Sequence, residues 1–588
     1  MMFFPAHAAI ANRNIFHFSK QIIKGVIFLL AVFSGHQRTF PQSYSFSDVI
    51  VFPADKSAHV NPDTYLKLTF PGEPILHNTG KIRIYDAHSG ELADELDLSI
   101  PPGPKNTRTR PPYDQFRYDG MPDSIYTVSK PDKDRSHVYQ QNHIGGDSEA
   151  DAYHFYPMLI QGNSAVICLH NNRLTYGKTY YVEVDEGVLS MPDGSPVKIK
   201  GPEQWTFKTK EMPPTASERQ MVVASDGSGD FTTLQGAVDF IPEHNTEPVT
   251  IFIKNGAYEE IVYFRNRRHI TIIGEDRDKV VVCYANNSVF NRRDMSPDPA
   301  LAKHQHNIRA VLAVDNSSDI AIINLTLRSL GEAPAQAEAL LAIGSEIIVH
   351  NVSIEGSGDA LQATGTIYMS DCKIQGFGDN VLGYGAVFFN RCEFVSTYGP
   401  HLWVRNTDKN HGNVMVNCTL RTIGEVETHI ARAPDNHGIK YPFCEAVLID
   451  CKLEGVKPEG WGRVTDSTEH IRYWEYNSTN LEDGTPIDAS RRHPASRQLT
   501  LEHDADIIHR YRDPAYVLGG WAPVLAPLVL TEPAIVSVEK GGTATFEVKV
   551  AAIPDAQYQW YKGQTPLKNA TEAALTISNV QAADAGTY

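Results

Sequence analysis

The sequence is poor in the features that mark several large protein classes. Its 588 residues contain only seven cysteines and no Cys-x-x-Cys pair, which argues against a zinc or thiol-redox site. The 53 basic residues are outnumbered by 70 acidic ones, so the net charge is −17 and a nucleic-acid backbone is a poor partner. An acidic polysaccharide is not excluded, because a local basic strip can exist on an acidic protein. Hydrophobic residues at 41% and charged residues at 21% are typical of a soluble globular protein.

One apolar run stands near the N-terminus, and no later segment is long and apolar enough to predict a membrane helix. Lys20 and Lys24 precede the run GVIFLLAVFSG, residues 25–35. This run is too short to span a bilayer and has the length of a signal-peptide core. A buried strand or helix is the alternative. We assign residues 1–42 to a signal peptide and expect the mature protein to act outside the cytoplasm.

Short β-rich runs recur through residues 221–521. Five of them are HNVSIEG, SDCKIQG, NRCEFVS, VNCTLRT and IDCKLEG, and INLTLRS is a sixth. Repeats of this kind indicate stacked units, and their period-two pattern turns the central residue and the next apolar residue to one inner side. We predict a right-handed parallel β-helix. The four cysteines of these runs would then be small core fillers and not disulfide partners; they are Cys372, Cys392, Cys418 and Cys451.

A short helix is predicted at the start of this region. The run FTTLQGAVDFI, residues 231–241, has Leu234, Ala237, Val238 and Ile241 at helical spacing. Such a helix would cover the open end of the coil stack, whose strand edges would otherwise be exposed.

The segments on either side of the repeats differ in character. Residues 48–210 alternate apolar and polar residues between turn signals. Their opening PADKSAHVNPDTYLKLTF and closing WTFKTK resemble bacterial Ig-like modules, with residues 102–155 as a long insertion. Residues 532–588 resemble an I-set immunoglobulin domain, with Trp560 in its core and Tyr588 at the tyrosine corner. The last strand would follow Tyr588, so we expect a partial domain. The predicted fold class is all-β, a β-helix flanked by β-sandwich domains.

Two acidic residues have the same setting one repeat apart. Asp359 in GSGDALQ and Asp379 in GFGDNVLG each follow a glycine, seven residues beyond Val352 and Cys372 of the ladder. Neighbouring strands lie about 4.8 Å apart, so the two carboxylates should lie side by side on consecutive coils. Such a pair divides into a protonated acid and a carboxylate nucleophile or base. Gly-Asp is also common turn chemistry, so the spacing alone leaves a structural pair open.

Eight short runs between residues 221 and 521 follow a known order of motifs. They are GSGDFTTLQGAVDFIP, IKNGAYEE, ITIIGE, QAEALLA, GSGDAL, CKIQGFGDNVLG, IARAP and EYNSTN. With these runs, about half of the chain resembles the pectinesterases, or pectin methylesterases, whose fold is a right-handed parallel β-helix. The resemblance implies a carbohydrate esterase that hydrolyses the methyl esters of galacturonate units in pectin and releases methanol.

The resemblance also implies roles for four residues. Asp379 corresponds to the family's nucleophile and Asp359 to its general acid/base. Arg432 corresponds to the arginine that orients the nucleophilic carboxylate, and Gln336 to an oxyanion-hole donor. The implied chemistry needs neither a metal nor another cofactor.

Three positions depart from the family pattern. Gly358 replaces the second oxyanion-hole glutamine, Pro434 replaces a tryptophan that packs on the sugar, and Asn380 replaces a phenylalanine. Loss of one oxyanion donor can lower the rate by about 10²–10³. Gln362, three residues beyond Asp359, could reach the same space. The alternative is a solvated turn residue that bonds only to nearby backbone.

Three more residues join Gln362 as candidates for substrate binding. Trp403 could form an aromatic platform for a sugar, or could pack against a neighbouring loop. Arg405 could bind a galacturonate carboxylate, or could belong to a surface turn. Tyr384, beside the second aspartate motif, could line the cleft or have a structural role.

Three functions fit these features. An esterase would release methanol without shortening the polymer. A glycosidase or lyase acting on polygalacturonate could use a stacked acid pair as well, and would shorten the polymer. A pectin-binding β-helix, its catalysis weakened at Gly358 and Pro434, would keep its affinity without turnover. We favour the esterase, and expect a secreted, periplasmic or cell-surface bacterial protein that acts on pectin as a monomer.

Overall fold

The computed structural model describes residues 44–105, 109–110, 112–116, 137–144, 152–215, 220–291, 309–333, 335–433, 438, 440–464 and 468–588. The predicted signal peptide and Pro434 lie outside these ranges. Within them, the structure contains no helix with both the length and the apolar character needed to cross a membrane.

Parallel strands stack coil upon coil through the middle of the chain and form two long sheets. The first sheet runs in the order Gln220–Val223, Val249–Ile253, Arg268–Gly274, Leu312–Ile323, Leu340–His350, Leu361–Ser370, Ala386–Asn390, Asn413–Val416, Glu445–Ile449, Arg472–Tyr476 and Ser496–Gln498, with Val262–Arg265, Val381–Gly383, Leu402–Val404 and Ala431–Arg432 joined beside this path. The second runs in the order Gly256–Glu259, Val280–Tyr284, Thr326–Ser329, Ser353–Glu355, Lys373–Gly376, Glu393–Ser396, Thr419–Thr422, Lys452–Glu454 and Thr479–Asn480. All of these strand pairs are parallel. The predicted parallel β-helix is confirmed.

The repeated cysteines lie inside the coils. Cys372, Cys392, Cys418 and Cys451 are at most 2% exposed, and none forms a disulfide. Each directly precedes a strand of the second sheet, in matching register. They fill the core between coils, as the period-two pattern predicts.

A sharp corner precedes each of the four cysteines and the equivalent Val352. Asn351, Asp371, Arg391, Asn417 and Asp450 all have φ between 53° and 55°, in the left-handed region. Asn and Asp tolerate this conformation better than other residues with a Cβ atom. The exception, Arg391, donates hydrogen bonds to both carboxylate oxygens of Asp371 one coil before it, each at 2.9 Å.

One helix lies at the start of the first sheet, and Pro514–Val517 packs against the strand Ala386–Asn390 in its middle. The helix Leu234–Phe240 begins after Thr233, whose hydroxyl accepts the backbone N–H of Gly236 at 3.0 Å. Its buried side packs against Gln220–Val223 and Val262–Arg265, which confirms the predicted short helix. The helices Leu501–Tyr511 and Pro514–Val517 follow the last strand, and single 3-10 turns lie at Phe46–Asp48, Tyr113–Gln115, Ala489–Arg491 and Ala582–Asp584.

The N-terminal region contains two main sheets that pack against the start of the β-helix. A four-stranded sheet has the order Ile50–Phe52, Leu66–Thr69, Ser164–Ile167, Met158–Gln161, and a five-stranded sheet has the order Ser57–Val60, Thr206–Thr209, Thr179–Val184, Lys81–Asp86, Leu92–Asp97. Two short pairs are Ile75–Leu76 with Leu189–Ser190 and Gln141–His143 with Ala152–His154. Asp63 accepts the backbone N–H groups of Thr232 and Thr233 at 2.9 and 2.8 Å, at the start of the capping helix. The Ig-like assignment of this region stays a prediction.

The C-terminal region forms three antiparallel strand pairs. They are Leu525–Thr531 with Lys549–Ile553, Ala544–Glu547 with Ala574–Ile577, and Tyr561–Lys562 with Thr565–Pro566. Trp560 is 9% exposed, and the Tyr588 hydroxyl donates to the Asp584 carbonyl at 2.7 Å. This bond to backbone a few residues upstream is the contact expected of a tyrosine corner.

Candidate active site

The two aspartates line one cleft of about 320 Å³. Each lies two residues before a strand, and these strands pair in register with Leu361 opposite Val381. The two side chains are each 15% exposed. The predicted separation of one coil between Asp359 and Asp379 is therefore confirmed.

The glycines before the aspartates permit close contact between coils. A Cβ atom on Gly358 would lie 1.5 Å from the carbonyl oxygen of Ala335, and one on Gly378 would lie 2.5 Å from the Cα atom of Gly399. No side chain fits at either place without movement of the backbone. The repeated Gly-Asp setting thus results from the tight stacking that brings the two carboxylates together.

Asp379 forms a two-point ion pair with Arg432. The Arg432 Nε atom donates to Oδ1 at 2.7 Å, and Nη2 contacts Oδ2. Burial lowers the pKa of Arg432, but the hydrogen bond and charge of Asp379 raise it more, so this group stays a cation. A guanidinium bound in this way fixes the plane of the carboxylate. The expected contact between these two residues is confirmed.

Asp359 has a different electrostatic environment. Burial raises its pKa well above the ordinary value, and the negative charge of Glu338 raises it further. Arg309, whose Nη2 atom lies 4.0 Å from the Asp359 Oδ2 atom, opposes this shift, and Asp379 adds to it. Asp359 therefore holds its proton to higher pH than an ordinary aspartate. The cleft combines one carboxyl group fixed by an arginine with a second whose neutral form is favoured by burial.

A comparison with protein families identifies this part of the chain. The family model described as pectinesterase matches residues 220–505. These residues form a pectinesterase-family domain. A second family model, the immunoglobulin domain, matches residues 526–588.

Two curated relatives of the pectinesterase domain come from the plant Arabidopsis thaliana. The pectinesterase QRT1 of Arabidopsis thaliana is 28% identical over 305 residues, which cover 49% of this chain and 75% of that protein. Probable pectinesterase 56 of the same plant is 31% identical over 154 residues, 26% of this chain and 49% of that protein. Among solved structures, pectin methylesterase from carrot is 21% identical with a TM-score of 0.41, and the match covers 51% of this chain and 93% of that one. The chain spans about half the length of several curated relatives that it matches.

Two glutamines of the pectinesterase domain meet the same arginine. Gln336 is exposed and lines the cleft, and its Oε1 atom accepts Arg309 Nη1 at 3.2 Å. Gln362 accepts Arg309 Nη2 at 3.4 Å. Gln362 lies in the strand Leu361–Ser370 and is 7% exposed, so the alternative of a solvated turn residue is wrong.

The other candidate binding residues lie beside Arg432. Trp403 pairs with Arg432 between adjacent strands, and its ring centroid is 4.5 Å from the Arg432 Cζ atom. The Arg405 Cζ atom lies 3.5 Å from the same centroid, so the indole braces both guanidinium groups. Tyr384 is 43% exposed, and its ring centroid lies 5.9 Å from the Arg405 Cζ atom. It lines a neighbouring cavity of about 520 Å³ together with His411.

Sequence reasoning missed several residues at the cleft. Arg309 and Glu338 form a contact beside Asp359, and Glu338 is fully buried. Phe377 and Tyr398 stack with centroids 5.0 Å apart and line the cleft. Glu338 carries a usable signal, because a charge inside the apolar run QAEALLA requires a partner. No sequence signal marks Arg309, which lies 29 residues earlier.

Of the three departures from the family pattern, Gly358 permits the close stacking of coils, and Pro434 lies outside the described residues. Asn380 is fully buried, and its Nδ2 atom donates to the Val395 carbonyl at 2.8 Å. It therefore links adjacent coils and is not exposed in the cleft. Within the described residues, no group of three or more His, Cys, Asp or Glu side chains is arranged to hold a metal ion.

Proposed function

We propose that the pectinesterase domain hydrolyses methyl esters of galacturonate units in pectin and releases methanol. The observation that carries the proposal is the contrast between the two aspartates of one cleft. Asp379 is held by Arg432 through both carboxylate oxygens, whereas burial and the charge of Glu338 favour a proton on Asp359. An ester hydrolysis by a carboxylate needs this division into a nucleophile and an acid.

The proposed reaction has two steps. In the first, an Asp379 oxygen forms a bond to the ester carbonyl carbon, and the Gln336 amide donates to the oxygen that becomes negative. The bond to the methoxy group then breaks, and methanol leaves with the proton of Asp359. In the second step, Asp359 takes a proton from water, the hydroxyl attacks the acyl carbon, and the Asp379 carboxylate is released.

Substrate binding is proposed for the residues next to Arg432. Arg405 supplies a cation for the carboxylate of a neighbouring galacturonate unit, and Trp403 holds that cation in place by contact with its ring. Tyr384 extends this surface toward the neighbouring cavity, and Gln362 supports the acid side of the cleft through Arg309. Each of these roles depends on a polyanionic substrate.

We also propose the cellular setting and the domain division predicted from the sequence. The protein acts as a monomer outside the cytoplasm of a bacterium, where a polymer such as pectin is accessible. Its domains are 48–210, 221–521 and 532–588, and the outer two act as spacers or docking modules. Cell fractionation, size-exclusion chromatography with light scattering, and limited proteolysis test these statements.

The decisive experiment measures proton and methanol release from highly methylated pectin. Wild-type protein should release both without shortening the polymer, and Asp379→Asn should abolish the release. Asp371→Asn is a matched control, since Asp371 has a similar φ of 55° and a two-point contact with Arg391 outside the cleft. Polymer shortening would favour a glycosidase or lyase. Equal binding by wild type and Asp379→Asn, with no turnover in either, would favour a binding protein.

A further inference from the structure

Arg309 contacts four polar side chains around the cleft. Its Nη1 atom lies 3.2 Å from Gln336 Oε1, and its Nη2 atom lies 3.4 Å from Gln362 Oε1 and 4.0 Å from Asp359 Oδ2. The same Nη2 atom contacts Oε1 of Glu338. The Arg309 side chain is only 13% exposed, and its contacts with Glu338 and Gln362 are partly buried, whereas its contact with Gln336 lies on the exposed side.

The guanidinium group determines how the two amides are turned. It can donate hydrogen bonds but cannot accept them, so Gln336 and Gln362 must present their oxygens to Arg309. The NH2 group of Gln336 then lies on the side of the amide away from Arg309. Because Gln336 is exposed and lines the cleft with both aspartates, this NH2 group is available to an ester oxygen there.

Glu338 balances the charge that this arrangement brings into the site. An arginine alone near Asp359 would favour the ionised acid, and Glu338 opposes that effect. Burial of such an ion pair costs desolvation free energy. The second oxygen of Glu338, Oε2, is buried and has no hydrogen-bond partner among the described residues. Because burial of the Arg309–Glu338 ion pair costs free energy, its presence is better explained by a role in the site than by a gain in stability.

We propose that Arg309 and Glu338 form a positioning pair for the proposed ester hydrolysis. Arg309 turns the Gln336 amide so that Nε2 donates to the oxyanion, and Glu338 offsets the charge of Arg309 so that Asp359 keeps its proton. The pair compensates for the coil at Gly358, which has no room for a side-chain donor. This inference rests on the proposed function.

A double-mutant cycle tests the effect on Gln336. Arg309→Met should lower kcat by about 10²-fold, the effect of losing one oxyanion donor, with a much smaller change in KM. If Arg309 acts through Gln336, the double variant Arg309→Met/Gln336→Ala should be about as slow as Gln336→Ala alone. Losses that multiply would overturn the proposal. Arg328→Met is the control, because it removes an arginine from its pair with Glu355 in the second sheet and should leave kcat and KM unchanged.

The titration of Asp359 tests the charge balance without any need for turnover. Infrared difference spectra of protein with ¹³C-labelled aspartate, assigned with Asp359→Asn, would follow this carboxyl group. Glu338→Gln should lower the pH at which it titrates, and Arg309→Met should raise it. A loss of packing alone would move both variants in the same direction, and that result would refute the pair. If wild-type protein hydrolyses no methyl ester, the proposed function fails, while the two opposite shifts still decide the positioning pair. Thermal unfolding checks that each variant folds.

Discussion

The substitution Arg432→Lys isolates the geometry of the candidate site from its charge. Arg432 donates to both oxygens of Asp379, at 2.7 Å from Nε and by a close contact from Nη2. Its Cζ atom also lies 4.5 Å from the Trp403 ring centroid. A lysine keeps the positive charge and the contact with the ring. It offers a single point of attachment, however, and cannot hold the plane of the carboxylate.

The magnitude follows from the number of hydrogen bonds lost. One hydrogen bond to a charged group contributes about 1.5–3 kcal/mol. Arg432→Lys should therefore lower kcat by roughly 10- to 150-fold, at about 1.4 kcal/mol for each factor of ten. Arg432→Met removes both bonds and leaves an unpaired carboxylate that is 15% exposed. A loss of about 2–5 kcal/mol, or roughly 30- to 5,000-fold, is then expected.

The assay is the initial rate of proton release from saturating, highly methylated pectin, with thermal unfolding as a check of folding. Arg391→Lys is the matched control, because Arg391 makes the same two-point contact with Asp371 away from the cleft. It should change stability slightly and kcat not at all. If Arg432→Lys retains kcat within about twofold of wild type, orientation of Asp379 by Arg432 is refuted.

Three other substitutions give distinct results. Gly358→Gln should lower the melting temperature and fail to raise kcat, because its Cβ atom would lie 1.5 Å from the Ala335 carbonyl oxygen; a faster enzyme would contradict the coil geometry. Asp359→Asn should abolish turnover yet raise the melting temperature at pH 8. Burial raises the pKa of Asp359 in the folded state. The stabilisation that comes from its proton is therefore complete below the unfolded pKa of about 3.9 and is lost as pH rises through the folded pKa. The same pH dependence of stability in wild type and Asp359→Asn would contradict this argument. Asp63→Ala should lower the free energy of unfolding by about 1–2 kcal/mol without changing kcat, because two backbone N–H groups at the start of the capping helix lose their acceptor; unchanged unfolding in urea would contradict it.

The fold and the aspartate pair could be predicted because a β-helix converts sequence intervals into spatial neighbours. Leu361 and Val381 are 20 residues apart and lie opposite each other, so residues at the same offset on each coil also meet. This rule fails when coils differ in length. Trp403 lies opposite Arg432, 29 residues later, and no fixed interval predicts that pairing. The prediction of Arg432 therefore rests on the family resemblance and not on spacing.

The Arg309 contacts could not be predicted for a related reason. The side chain reaches Gln336, Glu338, Asp359 and Gln362, which lie on two further coils, so its partners depend on rotamers and not on strand register. Gln362 illustrates the consequence. In a turn, the Gln362 side chain would bond only to solvent or nearby backbone. Its place in a strand instead brings it to the largely buried guanidinium group of Arg309.

The charges near the two aspartates suit the acidic polymer proposed as the substrate. Asp379 is paired with Arg432, and Glu338 with Arg309, so two of the three carboxylates near the reaction carry a matching cation. Burial raises the pKa of the third, Asp359, and so favours its neutral form. The cleft therefore does not share the net charge of −17 of the whole chain. Among the described residues, Arg405 makes no ion pair with a carboxylate and is held against Trp403 by its flat face. That cation is available to a carboxylate of the proposed substrate, on the side of the site where Trp403 and Arg432 lie.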